Sequence, residues 1–138
     1  MYKIKSEDFS LELTPIVQQV DFSYPVANSL RVQVLSQGFG VDSIIDIDEI
    51  SLADFAIKLH NMYKTLKGTA RLEEPYSLHC FIEFTAKNRG YIGVKGYIHN
   101  KLRMGCEQEI RFENEFDQTY LKDFADSLFA DYTKYTKL

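Results

Sequence analysis

The sequence predicts an α+β domain: an antiparallel β-sheet, largely a meander, with two amphipathic helices packed on its apolar face. Three observations carry this. Segments between Leu78 and Phe112 alternate apolar and polar residues, the period of a half-buried strand, and are joined by the short turn-like runs "KNRG" and "HNK". Leu52 to Leu66 repeats apolar residues at helical spacing, and a second such stretch begins at Asp117. The 138 residues suit one globular domain spanning 1–138, with no low-complexity tract and no internal sequence repeat.

In chain order, "DFSLELT" sets Phe9, Leu11 and Leu13 on one strand face. Pro15 and Pro25 bracket a segment expected to be mostly loop. "SLRVQVLSQ" is a second strand with Leu30, Val32 and Val34 inward, and "FGVDSIIDID" a third, antiparallel to it across a tight turn. The first helix buries Leu52, Phe55, Ala56, Leu59, Met62, Tyr63 and Leu66. Ser51 is the expected N-cap, Asp54 completes a short-armed capping box, and Gly68 ends the helix.

"GTARLEE" is a short strand that stops at Pro75. In the meander, Leu78, Cys80, Ile82, Phe84 and Ala86 share the core face with Ile92, Val94, Gly96 and Ile98. Leu102, Met104, Cys106, Ile110 and Phe112 join them, with Gln108 the exception. Turns centred on Asn88 and Asn100 set Ile82 opposite Val94 and Val94 opposite Cys106. Cys80 and Cys106 then sit two strands apart, roughly 10 Å at ~4.8 Å per strand, beyond disulfide reach. The closing helix runs from Asp117 to about Tyr135, with Tyr120, Leu121, Phe124, Leu128 and Tyr132 as its stripe and Ala125 and Phe129 beside it. Asp117 is its expected N-cap.

Composition narrows the function. Hydrophobic residues make up 45% and charged residues 26%, which excludes a disordered chain. A net charge of −4 repels nucleic acid and anionic membrane alike and suits a basic protein partner. The opening "MYKIKSEDFS" lacks a secretory apolar core, and no apolar run approaches the ~20 residues of a membrane helix, so a cytoplasmic location is expected. Two cysteines without CxxC spacing make neither a disulfide scaffold nor a zinc site.

Carboxylates supply the candidate chemistry. Asp46 and Asp48, ahead of Glu49, lie two apart and share a strand face, as a divalent-metal site requires, though the run also suits a solvated face leading into a helix N-terminus. Glu83, Glu107 and Glu109 project from the non-core face of the meander, the first two flanking Gly93, with His79, Lys95 and Tyr97 alongside. Such a group suits acid–base work or simply the polar face of a half-exposed sheet. His79 and Cys80 point to opposite faces, His99 falls in a hairpin tip and His60 lies on the polar side of a helix, so no metal site forms from them. Gly38-Phe39-Gly40 lacks the context of a phosphate loop. The residues alone leave open a metal-dependent hydrolase built on surface carboxylates and a small-molecule binding module. Phe81, Tyr91 and Tyr97 on the outer face equally suit a homodimer face or a second covered layer.

A family resemblance sharpens this. "DEISLADFAIKLHNMYKTLKGTARLE", with Leu66, Gly68, Ala70 and Leu72 as a Leu-x-Gly-x-Ala-x-Leu strand entry, resembles the WapI-like immunity proteins. The similarity continues through "NRGYIGVKG" and ends at "FDQTYLKDFADSL", like the family's helix opening at Asp117 to Leu121. The chain departs at Pro75 and Tyr76, where the family often carries an acidic-aromatic pair. The resemblance implies a non-enzymatic cytoplasmic protein, without cofactor or metal, that occludes the toxic C-terminal domain of a cognate polymorphic toxin. Many such toxins are nucleases with basic surfaces, so the expected partner is basic. The expected partner-binding residues are Asp46, Asp48, Glu49, Glu83, Glu107 and Glu109.

Overall fold

A computed structural model describes residues 1–18, 26–75, 79–101 and 105–133. The strands are β1 (Tyr2–Lys5), β2 (Phe9–Gln18), β3 (Val26–Ser36) and β4 (Phe39–Asp46), then β5 (Thr69–Glu73), β6 (Phe81–Ala86), β7 (Tyr91–Lys101) and β8 (Glu107–Asp117). Helix α1 (Glu49–Thr65) follows β4, and α2 (Lys122–Tyr132) follows β8. The fold is α+β, with the helices packed against the sheets. The strands form two antiparallel meanders, β1-β2-β3-β4 and β5-β6-β7-β8. The plan of four strands and a helix thus occurs twice, although the sequence itself does not repeat.

The first meander is longer than the alternation suggests. β1 has only Tyr2 and Ile4 as inward residues, too few to signal a strand. Pro15 lies inside β2, opposite Leu30, where a loop was expected. β1 begins at Tyr2 opposite Leu13, so past Leu13 the β1 side of β2 is an open edge, where a missing N–H breaks no ladder bond. Pro25 lies outside the described residues. At Gln37 and Gly38, both with positive φ (50° and 89°), a two-residue turn of the type that matches strand twist joins β3 to β4.

The first helix starts earlier and ends sooner than expected. Asp48, not Ser51, is its N-cap, and its side chain accepts from the Ser51 N–H at 2.7 Å. Asp54 pairs instead with Lys58 one turn on. Leu66, not Gly68, is the C-cap, in the left-handed conformation with its N–H donating to Met62 O, although Gly68 two residues on also has positive φ. That turns the Leu66 side chain out of the buried stripe. Asp117 does cap, accepting from Thr119 N–H at 2.9 Å, but what it caps is a 3-10 turn, Gln118–Tyr120, that precedes α2. Tyr120 leaves the apolar stripe for the same reason and is exposed.

In the second meander the faces are as expected and the register is not. Ile82 lies opposite Gly96, and Val94 lies between Phe84 and Asn114. The first shift arises because Arg89, at φ 63°, and Gly90 turn the chain one residue later than a symmetrical Asn88 hairpin. The second arises because the β7–β8 connection is centred past Lys101, not at Asn100, which pairs with Gln108 inside the ladder. Both shifts move the pairing by an even number of residues, so side chains keep their face. Cys80 is buried with a free thiol, while Cys106 falls outside β8 and is exposed, contrary to its expected core position. Leu78, Leu102, Met104 and Tyr135 lie outside the described residues.

Buried residues of both sheets and both helices form one apolar cluster. Its aromatic thread explains how the meanders join. Phe9 of β2 stacks on Phe116 at 5.8 Å and meets Phe112 at 6.3 Å, and Phe84 contacts Phe116, Phe55 of α1 and Phe124 of α2 at 6.4, 6.0 and 6.0 Å. The Phe112 ring occupies the space a Cβ would take at Gly96, its cross-strand partner, so only glycine fits there. Asn114, buried among these rings, donates to Ser36 Oγ at 3.0 Å and satisfies both polar groups between the sheets.

Candidate functional site

The outer face of the β5–β8 sheet carries the most organised polar surface among the described residues. Alternation sends Glu107, Glu109, Arg111, Glu113 and Glu115 of β8 outward, where cross-strand pairing gives each a neighbour. Arg71, Glu83, Lys95 and Glu113 form one row across four strands. Within it Glu83 binds Arg71 at 3.1 Å and Lys95 at 3.5 Å. In the next row Glu73, Phe81, Tyr97 and Arg111 align, with the Arg71 guanidinium 3.8 Å from the Phe81 ring centre and that of Arg111 4.6 Å from Tyr97. Contacts of this kind attract the guanidinium to the negative face of the ring.

The expected carboxylates share this face but occupy it differently. Glu83 and Glu107 do not flank Gly93, whose neighbours are Thr85 and Glu115. The Lys87 stem crosses Gly93 instead, to pair with Glu115 at 3.3 Å. Glu107 lies 3.3 Å from His99, which belongs to β7, not to a hairpin tip. Glu109 accepts a 2.6 Å hydrogen bond from the Tyr97 hydroxyl, and this bond raises the Tyr97 pKa. Glu113 has no hydrogen bond or ion pair among the described residues, and the sequence reading passed over it despite its place in the alternation. The cation–π pairs were also missed, since they depend on the register.

The other expected cluster sits at the β4–α1 corner. Asp46 ends β4 and its N–H donates to Glu74 Oε2 at 2.8 Å, which ties the corner to the β5–β6 connection. Asp48 lies beyond the strand with its carboxylate turned to the helix N–H, so it does not share a strand face with Asp46. Glu49 opens the first helical turn, where its charge complements the dipole. Among the described residues no three His, Cys, Asp or Glu side chains stand close enough to hold a metal ion.

A groove runs between β4 and the far end of the β7–β8 hairpin. It has a volume of about 160 Å³ and is lined by Gly40, Val41, Asp42 and Ser43 on one side and by Ile98, Asn100, Gln108, Glu109 and Ile110 on the other. Asp42 is held by Arg31 through 2.9 and 2.6 Å hydrogen bonds, which lower its pKa and keep it ionised.

With this geometry in place, comparison with known proteins is informative at the family level. The model of the Immunity protein WapI-like family matches residues 4–136, nearly the whole chain. The chain belongs to this family. No curated protein and no solved structure matches it. The WapI-like match also spans the first forty residues, ahead of the motifs that carry the resemblance, and covers both meanders and both helices. No helix of the described residues is long and apolar enough to cross a membrane.

Proposed function

We propose that this WapI-like protein is the immunity partner of a cognate secreted toxin, binding its toxic C-terminal domain in the cytoplasm and neutralising it by occlusion, without chemistry of its own. The observation that carries this reading is the family match over residues 4–136. The outer face of the β5–β8 sheet adds support. Glu107, Glu109 and Glu113 form an acidic margin around flat, half-buried Tyr97 and Phe81, the mixture of aromatic anchor and charged rim common in protein interfaces. The Asp46–Asp48–Glu49 corner is the second proposed contact, and Glu83, pinned by two cations, contributes to the same field. A net charge of −4 steers the protein toward a basic toxin surface.

Calorimetric titration against the C-terminal domain encoded by the neighbouring upstream gene, at low and moderate salt, tests this. One-to-one nanomolar binding that weakens with salt is the expected result. Combined Glu107→Lys and Glu109→Lys is expected to slow association by about tenfold or more. Absence of binding by the wild-type chain removes that toxin as the partner.

A further inference from the structure

Strand β8 ends its sheet, and among the described residues β7 is its one strand neighbour. The backbone groups on its other side have a definite phase. The His99 N–H donates to Cys80 Sγ at 3.3 Å and the His99 carbonyl accepts from the same thiol at 3.4 Å, so the His99 backbone faces β6. In an antiparallel ladder its partner Glu109 then turns its own N–H and C=O away from β7, and so do Glu107, Arg111 and Glu113. The Glu115 N–H obeys this parity, since it turns to Asn114 Oδ1 at 2.7 Å. The first half of the strand also projects past the core. Glu107, Gln108 and Glu109 are exposed although they point to alternate faces, and Ile110 is only half-buried, whereas Phe112 and Phe116 are buried. From Glu107 to Arg111 the edge is therefore open to solvent from both faces.

Edges of long strands are ordinarily closed by proline, a bulge or lysine, because unpaired N–H and C=O groups accept another strand. β8 has none of these over its 11 residues. What it carries is mostly negative charge, with Glu107, Glu109, Glu113 and Glu115 around Arg111 on the outer face. That charge bars a second copy. Antiparallel self-pairing about Arg111 sets Glu109 against Glu113 and Glu107 against Glu115, and like charges directly opposite destabilise a strand pair. The same glutamates favour a strand with basic residues at alternate positions. Glu107 and Glu109 each engage Oε2, on His99 and Tyr97, and keep Oε1 without a partner among the described residues, available to a cross-strand neighbour.

We propose that the open half of β8 takes up a β-strand of the toxin domain, which extends the sheet and sets Lys or Arg side chains beside Glu107 and Glu109. The proposal rests on the immunity reading and adds to it the mode of contact. Main-chain hydrogen bonds at the edge give affinity, and the alternate glutamates select a basic strand.

Amide hydrogen exchange of the wild-type protein, free and with the toxin C-terminal domain encoded upstream, tests this beside calorimetry. In the free protein the Glu109 and Arg111 amides are expected to exchange fast, and those of Ile110 and Phe112, bonded to β7, slowly. In the complex the first two are expected to slow by about tenfold or more. Glu109→Pro removes an outward N–H without breaking a β7 ladder bond and is expected to weaken binding about a hundredfold, against about two- to fivefold for Glu109→Gln, which removes charge alone. Should the proline variant fail to fold, the exchange measurement on the wild-type protein decides. A toxin that binds while the Glu109 and Arg111 amides keep exchanging, or that binds Glu109→Pro as well as Glu109→Gln, overturns strand addition and leaves the immunity reading standing. A wild-type protein that does not bind overturns both readings for that toxin. A free chain that dimerises in sedimentation and thereby protects the same amides also overturns the proposal, because it gives the edge to a second copy.

Discussion

The β1–β4 sheet meets solvent with Lys3, Lys5, Glu12, Gln33 and the Arg31–Asp42 ion pair, and it leaves Leu35 and Ile44 more than half exposed. The β5–β8 sheet instead meets solvent with cross-strand rows in which Arg71, Glu83 and Lys95 are linked and Arg111 stacks on Tyr97. Inward, the two are alike: Leu11, Val32 and Ile45 of the first are buried as fully as Ile82, Val94 and Ile92 of the second. One plan of four strands and a helix thus serves the core twice, while the outward residues diverge. Core faces answer to packing, which any apolar alternation satisfies. Outer faces are free to take on recognition, and among the described residues the β5–β8 face is the one that carries a continuous polar and aromatic array.

The comparison breaks if the halves are independent, and the largest expected effect tests that. Phe84 touches both helices and, through Phe116, the ring of Phe9 in the other sheet. Phe84→Ala is expected to cost about 3–5 kcal/mol, as deletion of a buried aromatic does. Urea unfolding followed by far-UV circular dichroism is expected to remain a single transition, displaced as a whole. A second transition, with the β1–β4 half unmoved, would show that the aromatic thread does not couple the sheets.

The helix entries sharpen the contrast. Asp48 caps a 17-residue helix directly, whereas Asp117 caps a 3-10 turn and α2, of 11 residues, begins after Leu121 without a side-chain cap. Asp48→Ala is therefore expected to cost about 1–2 kcal/mol, and Asp117→Ala only about 0.5 kcal/mol, both within the range for N-cap loss. Equal losses of thermal stability would mean that the carboxylate of Asp117 serves the whole of α2. The acidic strand-to-helix junction at Asp117 needs no substrate or partner to account for its aspartate.

How much of this was legible follows from which forces are local. Alternation alone placed Phe9, Leu11, Val32, Ile82, Phe84 and Val94 inward, because strand faces follow the period of the sequence. Registers depend on turn geometry, and Arg89 in a left-handed conformation moved one by two residues with no compositional warning. The cap moved from Ser51 to Asp48 because both residues suit the role, and the choice rests on where β4 lets the helix start. The sequence left open whether the first strands extend the sheet or begin a second one, since the choice depends on long-range contacts such as Phe9 on Phe116. Of the site, the outward direction of Glu83, Glu107 and Glu109 was legible. Their partners, and the groove beside Ser43, required the register and the meeting of the sheets.

The smallest effect concerns the clasp that returns the end of the chain to its beginning. Tyr2 of β1 donates to Asp131 of α2 at 2.6 Å, and its ring lies 6.1 Å from that of Tyr132. Burial, with the Asp131 carboxylate beside it, pushes the Tyr2 phenol well above its ordinary range. An unfolded tyrosine titrates near pH ~10. Above that pH the unfolded chain has released a proton that the folded chain still holds, so stability falls as pH rises; below it the contribution is fully present. Tyr2→Phe is expected to lower stability by about 0.5–1.5 kcal/mol between pH 6 and 9, the usual worth of one hydrogen bond. The gap from wild type should then narrow as pH climbs past ~10, because phenylalanine has no proton to lose. Parallel melting curves of the two proteins from pH 7 to 11 measure this directly, and a gap that stays constant would mean that Tyr2 ionises as freely folded as unfolded. The clasp would then join the two halves by ring packing alone.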